Sequence, residues 1–400
     1  MEYENQENTQ SQIRVAFIGI SNSGKTVLCS ILSSSKNLTE NIKEEEKQNS
    51  NSKINEYLIK NTSEIKNDIK LLDMSGNDKF GKITLYGMCS LNPDYCVVVI
   101  SANMGLTLTT KEFIEIAIIF EIPLIFVITK YNITPDFINE EILNEIQNLI
   151  SGDGINKNPK VILKNDDILS LSKNFLYDNI CPIFKISMED ENEIEIFKLF
   201  LQNIPLIKKI NKNNYDKTMY YITNIFSKEE GKSNLIVNGF LYNGIINKNS
   251  KMLLGPDLNA QFSEITIQSI YFNDNPVDII YPNNICCLSI DTQIDIRKGM
   301  IIIDNVTKEN YPKIYNEFSA IIMVVDNNTI LKQNFICVLY CRNIRQSCQI
   351  LDIQHFSMKC GEKGKVKFRF LKYPECVKVG DRIIIFESKI RAIGVIIEVK

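Results

Sequence analysis

From Arg14 to about Pro205 the chain alternates short apolar runs with stretches of helical periodicity. RVAFIGI (14–20), DIKLLDM (68–74), YCVVVIS (95–101), PLIFVITK (123–130) and PIFKIS (182–187) are near-continuous apolar segments ended by Gly, Ser, Asp or Lys. That is the pattern of strands buried on both faces. Between them the periodicity predicts helices over Lys25–Ser34, Lys79–Ser90, Thr110–Phe120, Asp136–Ile150 and Glu191–Gln202. Strand–helix alternation implies a mostly parallel sheet with helices on both faces. Residues 54–60 and 68–73 read as a β-hairpin, and the polar stretch 36–53 reads as a surface loop. Beyond a Lys/Asn-rich segment the grammar changes. From Tyr220 onward there are many short β-type runs separated by turn signals such as GPD, FNDNP, DNN and GEKG, enough for two all-β barrels. The reading divides the chain into a flexible tail (1–11), an α/β domain (12–206), a linker (207–216), and barrels at 217–305 and 312–400. In KVKFRF, Lys365, Lys367 and Arg369 face one way while Val366, Phe368 and Phe370 face a core.

Composition adds little except in its distribution. A hydrophobic fraction of 44% and a charged fraction of 23% are ordinary for a globular chain. The net charge of −3 conceals +6 in residues 301–400 against −9 in the first 300, which is compatible with a polyanionic partner at the basic end. There is no long apolar run and the first residues are polar and acidic, so neither a membrane span nor a presequence is expected. The 11 cysteines lack CxxC pairs, and the single histidine, His355, excludes a multi-histidine metal site. Buried thiols, a cytoplasmic location and a monomer are the expectations.

The chemistry is concentrated in the first domain. Gly19-Ile-Ser21-Asn22-Ser23-Gly24-Lys25-Thr26 follows an apolar strand and opens an amphipathic helix, the context a phosphate loop requires. Backbone N–H groups and the helix N-terminus would cradle a β-phosphate. Lys25 would neutralise β/γ oxygens, and the Thr26 hydroxyl would ligate Mg2+. Asp73, ending the next strand, would reach Mg2+ through water, and Gly76 would sense a γ-phosphate with its N–H. Thr129-Lys130-Tyr131-Asn132 stands where a base-reading loop belongs. Ser187-Met188 follows PIFKI, where a backbone N–H can meet a guanine carbonyl. Order and placement match a GTPase domain, and an ATP-dependent enzyme would not need the last two loops.

With these motifs in place the chain resembles the GTP-binding protein 1 and 2 group, relatives of elongation factor 1A among the translational GTPases. The likeness spans about residues 13–400: DMSGNDKF, NPDYCVVVISANMGLTLTTKE and IPLIFVITK first, then LLGPD (253–257), RKGM (297–300), RNIRQSCQI, KVKFRFLKYPE and GDRIIIF. It implies a GTPase domain followed by two β-barrels, GTP and GDP binding with Mg2+, hydrolysis, and action on tRNA or the ribosome. Arg342, Arg345, Lys365, Lys367 and Arg369 are then the candidates for RNA contact.

Three positions depart from the group. Asn77 stands where relatives place the histidine that positions the attacking water, and Asn cannot share a proton near neutral pH. Asn77 is therefore a weak catalytic candidate, with hydrolysis expected to be slow or organised by a partner. Asn132 replaces the base-reading Asp, and losing a charge-assisted pair to guanine costs about 2–3 kcal/mol. No Thr is in clear register for the loop that closes over Mg2+; Ser50, Ser52, Thr39 and Thr62 are nearest. Asn22 carries two readings, a loop cap or, as in some potassium-stimulated GTPases, a monovalent-cation ligand. A nucleotide-binding scaffold with little hydrolysis is the alternative to a working GTPase.

Overall fold

The architecture comes from a computed structural model that describes residues 12–33, 54–60, 67–76, 81–152, 154–163, 166–207, 217–226, 235–292, 294–305, 311–354, 356–387 and 389–400. The tail at 1–11, the whole of the loop at 36–53, most of the linker, and Asn77, Ser50, Ser52, Thr39, Thr62 and His355 lie outside the described residues.

The first compact unit holds a seven-stranded sheet. Its strands are β1 (Gln12–Ile18), β2 (Asn55–Ile59), β3 (Asp68–Asp73), β4 (Tyr95–Ser101), β5 (Leu124–Thr129), β6 (Asn158–Val161) and β7 (Ile180–Ile186), in the spatial order β2-β3-β1-β4-β5-β7-β6. Only β2 runs antiparallel to its neighbour β3, as the hairpin reading requires. The helices are α1 (Lys25–Ser33), α2 (Gly81–Ser90), α3 (Leu108–Ile119), α4 (Asp136–Ser151), α5 (Ile168–Asn174) and α6 (Glu191–Asn203). Strands β1, β4 and β5 are buried at every residue, the consequence of helices on both faces. One face is a cluster in which Phe175, Phe184, Phe197 and Phe200 meet with ring centroids about 5–5.5 Å apart.

A charge in the middle of β1 is tolerated because it is paired with a buried carboxylate. Arg14, 2% exposed, donates Nε and Nη2 to both oxygens of Asp94 at 3.0 and 2.9 Å, and the Arg14 N–H adds a third bond at 2.9 Å. Edge strand β6 and the seven-residue α5 were not anticipated. The first is short and only half-buried, and the second is too short for periodicity to announce it.

The second compact unit contains two antiparallel barrels. The first closes through β8 (Met219–Phe226), β9 (Leu235–Asn243), β11 (Lys251–Gly255), β12 (Ser263–Phe272), β15 (Asn284–Asp291) and β16 (Ile301–Asp304). Short strands β10 (Ile246–Asn247), β13 (Asn275–Val277) and β14 (Ile279–Ile280) lie outside that ring. The other closes in the order β17-β22-β20-β19-β23-β24. These are β17 (Glu317–Val324), β19 (Ile336–Cys341), β20 (Ile344–Ile353), β22 (Lys363–Phe370), β23 (Arg382–Phe386) and β24 (Ile390–Val399), beside a small β18 (Leu331–Lys332) and β21 (Ser357–Met358) pair. Along β22 exposed and buried positions alternate, with Val366, Phe368 and Phe370 in the core and Lys365, Lys367 and Arg369 outside.

The seam between the barrels accounts for several group-specific sequence pieces. Arg297 of RKGM donates to both Glu375 oxygens, at 2.8 and 3.2 Å, and to the Pro256 carbonyl of LLGPD and the Pro374 carbonyl at 3.2 and 3.3 Å. Its guanidinium lies 4.2 Å from the Tyr373 ring centroid. Gln346 of RNIRQ holds the same carboxylate at 2.7 Å. Asn343 donates to the Met300 and Ile222 carbonyls at 2.9 and 3.3 Å. Arg342 bonds the Tyr221 hydroxyl and Asp381. Four motifs that lie far apart in the chain converge on one buried ion pair.

Candidate nucleotide site

The loop between β1 and α1 has the backbone its residues dictate. Gly19 has φ of 145°, and a Cβ there would fall 2.2 Å from the Val99 carbonyl oxygen, so only glycine fits. Asn22 and Gly24 turn left-handed at φ of 62° and 92°. Asn tolerates that conformation better than most residues, which accounts for its presence without invoking an ion. Lys25 is buried and its ammonium donates to the Ile20 carbonyl at 2.8 Å. The DxxG turn folds onto this loop: the Gly76 carbonyl accepts the Ser21 N–H at 2.7 Å. A Cβ on Gly76 would lie 2.4 Å from Lys25 Nζ, so the approach depends on glycine.

Thr26 donates its hydroxyl to Asp73 Oδ2 at 2.7 Å. Asp73 is 5% exposed, and its Oδ1 is buried with no hydrogen-bond partner among the described residues. Its cross-strand neighbour Asn55 approaches the carboxylate without completing a bond to Oδ1. Burial raises the Asp73 pKa, against the pull of the Thr26 hydroxyl, the Lys25 charge and the Asn55 amide. Burial likewise lowers the Lys25 pKa, against the Asp73 charge. A hydroxyl and a carboxylate whose second oxygen is buried and orphaned form a hard-oxygen pair that suits Mg2+.

The base loops are tied to the phosphate loop by side chains. Thr129 donates its hydroxyl to the Ser23 carbonyl at 2.7 Å, and Lys130, at φ of 58°, donates its ammonium to the Asn22 carbonyl at 2.7 Å. Asn139, on α4, braces the turn by donating to the Tyr131 and Thr134 carbonyls at 2.9 and 3.0 Å. Asn132 is exposed. Met188 packs towards Gly24, its Cε 3.3 Å from where a glycine Cβ would stand. The structure thus brings Gly19–Thr26, Asp73, Gly76, Thr129–Asn132 and Ser187–Met188 to the end of the sheet where β1, β3, β5 and β7 finish.

The sequence reading missed Asn139 and Glu193. Glu193 accepts from the Tyr131 hydroxyl at 2.6 Å and from the Ser187 N–H at 2.9 Å. Burial and this carboxylate push the Tyr131 phenol up to about 12. The only local signal was the Asp190-x-x-Glu193 spacing at the start of α6, which reads as a helix cap.

The basic candidates in the last barrel separate into two groups. Arg342 is engaged in the seam, opposite Tyr221 and Asp381, so it is not placed to meet an outside partner. Arg345, Lys365 and Arg369 are exposed and Lys367 is half-buried. Lys367 and Arg369 pair with Glu317, and Lys365 with Glu398 at 3.1 Å. Lys298, part of RKGM but not among the candidates for RNA contact, lies near enough to Arg345 that burial and that charge lower its pKa.

A phosphate loop, a DxxG turn and two base loops at one sheet end, followed by two six-stranded barrels, define the architecture of a translational GTPase. The family described as "Elongation factor Tu GTP binding domain" matches residues 10–212, and the chain belongs to it. It is 29% identical over 330 residues to "GTP-binding protein 1" of Xenopus laevis, covering 82% of this chain and 49% of that protein. To "GTP-binding protein 2" of Homo sapiens it is 26% identical over 339 residues, covering 83% and 56%. The chain spans about half the length of these curated relatives. Among solved structures, translation elongation factor SelB from Methanococcus maripaludis with the GTP analogue GppNHp superposes with a TM-score of 0.72 at 16% identity, covering 98% of this chain and 80% of that one. The S. cerevisiae Ski7 GTPase-like domain bound to GDP and inorganic phosphate gives 0.74 at 15%, covering 99% of each chain. At such identities the likeness is one of fold. Among the described residues no helix is long and apolar enough to cross a membrane.

Proposed function

We propose that this chain binds GTP and GDP and hydrolyses GTP to GDP and phosphate, acting as a switch on tRNA or the ribosome in the cytoplasm. The observation that supports this reading most is the pairing of Thr26 with Asp73 beside a buried lysine, at the start of a helix that follows a glycine-bounded loop. Thr26, and Asp73 through water, would hold Mg2+, which supplies charge neutralisation at phosphate oxygens. Lys25 and the loop N–H groups bind the β- and γ-phosphates; Thr129 and Lys130 hold the loop in shape; the Ser187–Met188 loop meets the base. In hydrolysis a water adds to the γ-phosphorus as its bond to the β-bridging oxygen breaks. Arg345, Lys365, Lys367 and Arg369 are proposed to contact RNA phosphates.

A second reading, a nucleotide-binding scaffold, is favoured by Asn77 and by the absence of histidine from residues 1–300. Calorimetry with GDP, and with GTP, in Mg2+ tests the binding step: wild type takes up both, and Lys25→Ala loses at least about 100-fold in affinity. Uptake unchanged in Lys25→Ala would remove the proposal. Single-turnover hydrolysis with and without ribosomes then separates a GTPase, which accelerates, from a scaffold, which does not.

A further inference from the structure

In an antiparallel barrel alternate residues of each strand point to solvent, and those positions are ordinarily polar. The last barrel follows this rule on β22, where they are Lys363, Lys365, Lys367 and Arg369. It breaks the rule on β17 and β24. There the outward positions are Ile321 and Met323, and Ile393, Val395 and Ile397. Register joins the five into one stripe: Ile321 stands opposite Val395 and Met323 opposite Ile393, and a bulge leaves Ile397 beside them. None belongs to the core of the barrel, and all but Ile393 are 36–40% exposed. Cations edge the stripe on both sides. Lys363 lies opposite Met323 and Lys365 opposite Ile321 on β22, and Arg382 of β23 lies opposite Val395. Lys365 is held by Glu398, whereas Lys363 makes no ion pair among the described residues.

RNA phosphates would account for the lysines of β22 but not for five adjoining aliphatic side chains. A contiguous apolar stripe rimmed by charge marks a docking surface. The stripe holds no aromatic ring, so it can neither stack bases nor anchor in a lipid interface through one. Two copies paired face to face would set cations against cations along both rims. Charge complementarity calls instead for an acidic partner. We infer that this stripe docks a protein segment, a short amphipathic helix whose aliphatic ridge is flanked by Asp or Glu. Ile393 to Ile397 spans about 13 Å of strand, the length of about nine helical residues. Ridge side chains four residues apart on such a helix match the spacing of alternate strand positions, and its carboxylates meet Lys363, Lys365 and Arg382. The surface is independent of the nucleotide site.

The probe is a fluorescein-labelled helical peptide with leucines at i, i+3, i+4 and i+7 and glutamates on both flanks. Its binding to the full chain is followed by anisotropy, beside a twin in which every Glu is Lys. The acidic peptide binds, and the basic twin binds at least about tenfold more weakly. Ile321→Ser/Val395→Ser, outside the core, weakens the acidic peptide at least about tenfold. Lys363→Glu weakens it at least about fivefold and serves if the double variant does not fold. Neither change alters affinity for an unstructured RNA or for vesicles of equal parts phosphatidylcholine and phosphatidylserine, nor the sedimentation of the chain. No binding of the acidic peptide up to about 1 mM, or equal binding of the twins, would overturn the inference. So would a double variant that leaves the peptide's affinity intact while weakening RNA binding, vesicle binding or self-association.

Discussion

Replacing Arg297 with Met removes the cation from a carboxylate that is 1% exposed and leaves Glu375 with Gln346 as its polar side-chain partner at the seam. Breaking a buried pair from one side costs about 3–5 kcal/mol, because the remaining charge stays desolvated. For a barrel pair of this size that lowers the unfolding midpoint by roughly 6–20 °C. The loss has a pH signature. Burial already pushes Glu375 up to about 7, with Arg297 and Gln346 opposing. A folded pKa above the unfolded value of 4.5 means the associated stability is full below 4.5 and lost as pH rises through about 7. Without the guanidinium the folded pKa rises further, so the variant keeps losing stability above pH 7 while this contribution in wild type has levelled off. The gap widens by up to about 1.4 kcal/mol per pH unit. The chain contains no tryptophan, so urea unfolding is followed by circular dichroism and by the fluorescence of its 16 tyrosines. Arg297→Met/Glu375→Leu, which removes both charges, recovers most of the loss at pH 8. A deficit below about 1 kcal/mol that is the same at pH 5.5 and pH 8.5 would refute this account of the seam.

Thr26→Ala weakens GDP binding about tenfold in Mg2+ but not in EDTA, a difference read by calorimetry in the two buffers. Gly19→Ala forces a Cβ to within 2.2 Å of the Val99 carbonyl oxygen at a positive φ, so it loses at least about 1–3 kcal/mol of stability in chemical denaturation. Arg14→Met leaves Asp94 buried opposite an apolar side chain and costs about 3–5 kcal/mol in the same measurement; a loss under 1 kcal/mol would contradict the pairing described for β1. If the last barrel meets RNA phosphates, Lys365→Ala/Lys367→Ala/Arg369→Ala reduces the slope of log affinity against log salt by about 3; an unchanged slope places the contact elsewhere.

The parts legible in the sequence are those whose determinants are contiguous. The phosphate loop, its strand and its helix occupy consecutive residues, and the buried strands β1, β4 and β5 are apolar on both faces, so runs of side chains reveal them. Even the alternation of Lys365, Lys367 and Arg369 with Val366, Phe368 and Phe370 could be read without coordinates. What escaped depends on partners distant in the chain. Glu193 is indistinguishable from a helix cap until Tyr131 and Ser187 are in place. Arg342 looks like any exposed barrel cation until the fold sets it against Tyr221, 121 residues away. RKGM, RNIRQ and KYPE could be recognised only by resemblance, because the ion pair that unites them exists only once both barrels have closed.

The ties from Thr129 and Lys130 to the carbonyls of Ser23 and Asn22 have an entropic consequence. They fix those carbonyls within the fold, so part of the entropy of ordering the loop is lost during folding rather than at encounter with a ligand. If the chain binds nucleotide as proposed, the bonds exchanged at capture are those the loop itself makes, from Lys25 to the Ile20 carbonyl and from the Ser21 N–H to the Gly76 carbonyl.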